Sequence, residues 1–260
     1  MKLGFIGTGV ISDAMIRGLL STDDAVSEII VSRRGREFSQ KLATEFDAVR
    51  VEDDNQAIMD AADIVFLAVR PQIAEQVLSG LKAPANTQIV SLIATIPIAK
   101  LQGWISGGAS FDRAIPLPSV AHCNCVTAVY PGAPDVIALF EKLGGAVAAD
   151  TIDAFDGYAA GSALMATYFE ILESSAQWMV AHGSDYADAR RYLAALFAGL
   201  SDNTIKSPDK SFATLVEGHS TPGGLNEQVA QTFMRQKGGA AIHSALDDVF
   251  ARIRAASSDS

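Results

Sequence analysis

The 260-residue sequence predicts an α/β fold, with a doubly wound parallel sheet at the N-terminal end and an all-helical domain after it. Three observations carry that expectation. Nearly unbroken apolar runs such as Asp63-Ile64-Val65-Phe66-Leu67-Ala68-Val69 read as strands covered on both faces. Helical patterns alternate with these runs, one strand about every 20–30 residues, as in βαβ units. Near Asp150 the strand signal stops, and only long helical patterns follow. The boundaries expected are therefore 1–150 and 151–260.

The elements follow in order. Lys2 to Ile6 forms a short buried strand that enters the turn Gly7-Thr8-Gly9. A helix then carries Ala14, Met15, Gly18, Leu19 and Leu20 at helical spacing. Val26 to Ser32 is the second strand, followed by a polar helix from Gly35 to Phe46 and a strand from Ala48 to Val51. Asn55 to Ala62 is a small helix and Asp63 to Val69 a strand; Pro71 to Leu81 is helical, with Pro71 in the first turn. Gln88 to Ile96 is a strand, Ile98 to Trp104 a short helix, and Phe111 to Ile115 and Thr127 to Tyr130 are further strands. Pro134 to Leu143 is a helix, and Gly145 to Val147 closes the sheet. The remaining helices are expected at Ala154 to His182, Ser184 to Ser201, Ser211 to Gly218 and Asn226 to Ala256, with a loop at Ser207-Pro208-Asp209 and a frayed tail, Ser257-Ser258-Asp259-Ser260. Met165, Phe169, Leu172 and Trp178 make an apolar stripe that reads as core or dimer interface.

Composition narrows the function. Hydrophobic residues at 49% supply a core, and a net charge of −10 argues against broad binding to nucleic acid or anionic membranes. No apolar run reaches the ~18 residues of a membrane helix. Gly4, Gly7 and Gly9 interrupt any signal-like core, so a cytoplasmic protein is expected. Cys123 and Cys125 are too few and too close for a disulfide framework, and without finger-like partners they imply no metal site.

The turn Gly7-x-Gly9-x-x-Ser12, with Ser at the usual third glycine, follows a strand and opens a helix. In that context it is the signature of a Rossmann-like dinucleotide site, in which Gly7, Thr8, Gly9, Val10 and Ile11 offer backbone donors to a pyrophosphate. The alternative is a bare structural turn. At the end of the second strand, where an NAD site carries an acid, stand Ser32, Arg33 and Arg34, donors suited to a 2′-phosphate. NADPH is therefore expected over NADH; the alternative is a solvated basic pair. Ala68, Val69, Arg70, Pro71 and Gln72 close the fourth strand at the carboxyl edge of the sheet, where such folds bind their ligand. Asn55 is either part of the adenosine end or a plain helix N-cap. His219-Ser220-Thr221-Pro222-Gly223-Gly224-Leu225-Asn226 leads into the last helix and is either a carboxylate receptor or an N-capped turn. No G-x-S-x-G elbow, H-E-x-x-H or Walker lysine is present, and His122, the histidine best placed to face a nicotinamide, is given no role.

Together these segments resemble the pyrroline-5-carboxylate reductase family, through Ile6-Gly7-x-Gly9, Ala14-Met15-Ile16-x-Gly18-Leu19, Asn55, Ala68-Val69-Arg70-Pro71-Gln72, Ser91-x-x-Ala94, Arg113-x-x-Pro116, Gly161-x-Ala163 and Ser220-Thr221-Pro222-Gly223-Gly224. The resemblance implies NADPH-dependent reduction of 1-pyrroline-5-carboxylate to proline, and a homodimer, sometimes assembled further, built from the C-terminal helices. It places the nicotinamide over Val69, Ala94 and Pro116. It puts the substrate carboxylate on Gly223, Gly224 and Leu225, with Asn226 near the imine nitrogen. Three departures cluster at the substrate. Leu117 stands where the family has a cofactor-contacting Asn, Ala159-Ala160-Gly161-Ser162-Ala163 replaces Gly-Ser-Gly-Pro-Ala, and Leu225-Asn226 replaces Thr-Thr or Ala-Thr. A divergent member is implied, with a reductase of another imine or a non-catalytic NADPH-binding relative as alternatives. A 3-hydroxy-acid dehydrogenase is discounted, because Ala154 to His182 holds no lysine.

Overall fold

The computed structural model describes residues 1–22 and 26–258, so Asp259 and Ser260 of the expected tail lie outside the described residues. The chain divides into two compact units. One comprises Met1–Ser162 and the chain from Phe250 onward; the other is Ala163–Val249.

In the first unit the strands are β1 (Lys2–Ile6), β2 (Glu28–Ser32), β3 (Val49–Glu52), β4 (Ile64–Leu67), β5 (Lys82–Ala83), β6 (Gln88–Ser91), β7 (Ser106–Gly107), β8 (Ser110–Ile115), β9 (Thr127–Tyr130) and β10 (Ala146–Ala148). The helices between them are α1 (Val10–Ser21), α2 (Arg36–Glu45), α3 (Asn55–Ala61), α4 (Pro71–Leu78), α5 (Ile98–Trp104) and α6 (Pro134–Lys142), and α7 (Ile152–Ser162) follows the last strand. Eight strands form one sheet in the order β10-β9-β8-β6-β4-β1-β2-β3; every pairing is parallel except β8 with β9. The short pair β5-β7, unforeseen in the sequence, stands apart from it.

Alternation along the strands explains the two cores. Leu3, Phe5, Ile29, Val31 and Phe66 join one cluster, while Ile6, Ile30, Val65 and Leu67 join another. Adjacent residues of one strand point to opposite faces, so an unbroken apolar run is what a doubly covered sheet requires. Phe5 stacks on Phe66 at 4.8 Å, and Phe140 meets Phe66 edge-on at 6.4 Å.

The second unit holds α8 (Leu164–Ala181), α9 (Tyr186–Ile205), α10 (Phe212–His219), α11 (Leu225–Arg235) and most of α12 (Gly238–Ser258). Two expected long helices are broken. Ala154 to His182 divides at Ala163 into α7 and α8. Asn226 to Ala256 divides where Lys237 takes a left-handed φ of 63°, and the Phe233 ring lies where a Cβ on Gly238 would stand. Glycine there lets the ring fold over the break. Ser257 and Ser258 continue α12 rather than fraying from it. Many large apolar side chains of this unit are exposed, among them Phe169, Trp178, Phe212 and Leu225.

In the first unit α1 packs on a 3-10 turn, Pro118–His122, in a stretch expected to be loop. A Cβ on Gly18 would strike the Val120 carbonyl and stand 2.9 Å from Leu143. Alanine is otherwise worth up to ~1 kcal/mol over glycine inside a helix. Overpacking against a backbone carbonyl outweighs that, so Gly18→Ala is expected to lose about 1–3 kcal/mol of stability in urea denaturation followed by circular dichroism. A midpoint at or above the parent's would contradict this packing.

Candidate functional site

The glycine turn is locked to the end of β2. Gly7 N donates to Ser32 Oγ at 2.8 Å, Thr8 Oγ1 donates to the Ser32 carbonyl at 2.8 Å, and Thr8 N donates to the Arg34 carbonyl at 3.1 Å. Gly35 has a φ of +83°, and a Cβ there would collide with the Thr8 carbonyl. Gly7, at a φ of +98°, brings the turn so near β4 that a Cβ would stand 2.7 Å from the Ala68 carbonyl. Ser12 is fully buried and its hydroxyl donates back to the Gly7 carbonyl at 2.9 Å, a bond that a third glycine would lack.

These bonds sort the expected donors. The Gly7 and Thr8 N–H groups are spent inside the protein. Those of Val10, Ile11 and Ser12 belong to the first turn of α1, which has no side-chain cap, and they start the helix free. A Cβ on Gly9 would meet nothing within 4 Å, so the space over this helix end is open. A cavity of about 350 Å³ occupies it, walled by Gly9, Arg34, Phe38, Val69 and Arg70. Open N–H groups, a positive helix end and two guanidiniums fit a dinucleotide pyrophosphate.

A second hollow of about 160 Å³ adjoins the end of β2, between Ser32, Arg33, Arg34 and Asn55. Ser32 is buried; its oxygen already accepts from Gly7 and only its proton is left to give. Arg33 pairs through Nε with the exposed Asp53. Asn55 is not the cap of α3. Asp54 is, accepting from Gln56 N at 2.9 Å, and that leaves the Asn55 side chain facing the hollow.

At the carboxyl edge of the next strands, Arg70 is the N-cap of α4 with Pro71 at its first position. The Ala94 carbonyl, in the loop between β6 and α5, accepts from Arg113 Nη2. Pro116 is buried at the end of β8. Leu117 N donates to Cys125 Sγ at 3.3 Å, and its side chain walls an apolar cavity of about 310 Å³ together with Ile115, Tyr158, Gly161 and Ser162. The thiols of Cys123 and Cys125 are free, and His122 is exposed. Among the described residues no three His, Cys, Asp or Glu side chains gather as a metal site. The buried pair of Arg113 and Asp156 has no role in the sequence expectations; its signal was an arginine at the centre of the strand Phe111 to Ile115, beside Asp112.

In the helical unit, α11 opens at Gly224, not at Asn226 as the capped-turn reading had it. Gly223 N donates to Glu227 Oε2 at 2.7 Å and Gly224 N to the Thr221 carbonyl at 2.8 Å, so two of the three N–H groups expected to receive a carboxylate have internal partners. The free donors are shifted forward, to Leu225, Asn226 and Glu227 in the first turn of α11. Asn226 Nδ2 donates to the His219 carbonyl at 3.0 Å and ties α11 to the end of α10; its Oδ1 keeps its accepting capacity.

Comparison with known proteins adds the following. A family model described as NADP oxidoreductase, coenzyme F420-dependent, matches residues 2–95, and one described as pyrroline-5-carboxylate reductase dimerisation matches residues 150–256. The pyrroline-5-carboxylate reductase of Corynebacterium melassecola is 28% identical over 236 residues, 85% of this chain and 86% of that protein. The crystal structure of 1-pyrroline-5-carboxylate reductase from Streptococcus pyogenes superposes with a TM-score of 0.83 at 23% identity, covering 98% of both chains. That of Plasmodium falciparum pyrroline carboxylate reductase, with NADP bound, gives 0.81 at 17% identity and the same coverage.

The geometry separates two kinds of residue at the β2 end. Ser32→Ala strands the buried Gly7 N–H, at a cost of about 1–3 kcal/mol, and is expected to weaken NADPH and NADH alike. Arg34→Ala removes only a charge that faces the ligand cavities and is expected to weaken NADPH about tenfold more than NADH. Fluorescence titration of both dinucleotides checks this; equal losses for Arg34→Ala would remove it from phosphate recognition.

Proposed function

The chain belongs to the pyrroline-5-carboxylate reductase family, and on that premise we propose that it reduces 1-pyrroline-5-carboxylate to proline with NADPH. The observation that carries the reading is the locked glycine turn, whose open helix end and basic β2 terminus wall adjoining cavities fit for a phosphorylated dinucleotide. Bound NADPH supplies the hydride.

The protein's own part is binding and orientation. A protonated cyclic imine already carries the positive charge that draws hydride to its carbon, so no strong general acid is needed. In the proposed division of labour, residues 1–150 hold the cofactor and 151–260 provide self-association and substrate contacts. Val10 and Ile11 take the pyrophosphate, Arg33, Arg34 and Asn55 the 2′-phosphate end, and Val69, Ala94 and Pro116 the nicotinamide side. The substrate carboxylate rests on the N–H groups at the start of α11, Leu225 first, and Asn226 holds the ring nitrogen through its amide. The exposed Phe169, Trp178 and Phe212 lie within the residues that match the dimerisation model and are covered in a homodimer. The cytoplasm is the proposed compartment, where Cys123 and Cys125 stay reduced.

One observation favours a second substrate. Leu117 presents a branched alkyl side chain to the 310 Å³ cavity where the family pattern has an amide, which suits a cyclic imine with an apolar substituent. Initial rates with 1-pyrroline-5-carboxylate and with alkyl- and aryl-substituted cyclic imines separate the two. In the same assay Asn226→Ala is expected to lower kcat/KM by more than about tenfold, ~1.4 kcal/mol of transition-state stabilisation. A change within about twofold would take Asn226 out of the mechanism.

A further inference from the structure

Arg113 and Asp156 form a charged pair within the first unit with both side chains almost wholly buried, 1% and 4% exposed. Arg113 Nη1 donates to Asp156 Oδ1 at 3.4 Å, Nη2 donates to the Ala94 carbonyl, and the guanidinium lies over the Phe155 ring with Cζ 4.6 Å from its centroid. Its Nε is buried and has no acceptor among the described residues.

As a stabilising device this arrangement is poor. The contact to Asp156 is long for a charge-assisted bond, and an unpaired buried N–H costs about 1–3 kcal/mol. Apolar residues of similar size often match or exceed a buried ion pair in stability. Burial pushes the Arg113 guanidinium below its ordinary pKa and the Asp156 carboxyl above its own, in each case against the attraction of the partner. What the pair does achieve is a connection. It joins Ala94, in the loop after β6, to α7, whose Gly157, Tyr158, Gly161 and Ser162 wall the cavity with Leu117. Arg113 itself stands three residues before Pro116 on β8, so one guanidinium reaches the β6 loop, β8 and α7 at once.

We propose that Arg113, anchored by Asp156, is a positioning residue for hydride transfer: it holds the Ala94 loop against α7 and so sets the wall on which nicotinamide and imine meet. It rests on the assignment of Ala94 and Pro116 to the nicotinamide side.

Two variants test it. Arg113→Lys keeps the charge but reaches only one of the two acceptors. Arg113→Met with Asp156→Leu removes both charges at similar volume. In the apo protein, amide exchange at residues 93–96 and along α7 is expected to rise about tenfold in both variants, while β1 and β4 stay protected and the melting temperature falls little or rises in the double variant. In turnover, kcat is expected to fall at least about tenfold, with KM for NADPH changed less than about threefold because the adenosine end is untouched. A purely structural pair predicts that the double variant, once stable, regains parental exchange and kcat, and that result overturns the proposal. If the double variant does not fold, Arg113→Lys decides alone: parental exchange and kcat in it refute the brace. If the parent reduces no imine, the substrate reading fails, while the apo exchange data still decide the brace.

Discussion

The hydrogen bond from Gly7 N to Ser32 Oγ is the constraint on which the first unit's chemistry depends. It fixes the turn after β1 to the end of β2, and with the two Thr8 bonds it sets the direction in which α1 departs. The same bond spends the donor of Gly7 and makes the first turn of α1 the surface offered to an anion. The usual account of such turns counts glycine amides as the ligands. Here Gly7 and Thr8 are structural, and their bonds to the β2 end are what aim the N–H groups of Val10, Ile11 and Ser12.

That arrangement also resolves a tension in the charge balance. A chain with a net charge of −10 repels a dinucleotide at long range. Binding therefore falls to local donors at the edge of the sheet. Arg34 lines both cavities there, while Arg33 is held by Asp53, an acid placed beside the expected phosphate site. An exposed pair of this sort is worth at most ~1 kcal/mol, so a phosphate dianion can displace Asp53 from Arg33.

Much of this was legible in the sequence, for physical reasons that mark its limits. The unbroken run Ile64-Val65-Phe66-Leu67 announces a doubly covered strand because it is short, β-branched and aromatic, and apolar at every position. The glycine turn announces its role because Gly7 alone tolerates its φ and its approach to Ala68. The helix break at Ala163 was hidden, since small apolar residues run through it, whereas the one at Lys237 carried a signal in Gly238-Gly239, a dipeptide that marks turns. Both capping alternatives fall away, because Asp54 rather than Asn55, and Gly224 rather than Asn226, take the cap positions. The first leaves the Asn55 side chain facing the hollow at the β2 end, and the second sets the open donors of α11 one or two residues forward. The Arg113–Asp156 pair joins residues 43 apart in sequence, and no local rule could have matched them.

The account places hydride donation in the first unit and reception at a carboxylate-anchored imine. The measurement that tests it most directly is the fate of a label: NADPH deuterated at C4 of the nicotinamide is turned over with 1-pyrroline-5-carboxylate, and the product is examined by mass spectrometry and NMR. The account predicts proline carrying deuterium at C5, transferred from one of the two C4 epimers and absent with the other. Proline without deuterium from either epimer, or NADPH bound and never consumed, would contradict it.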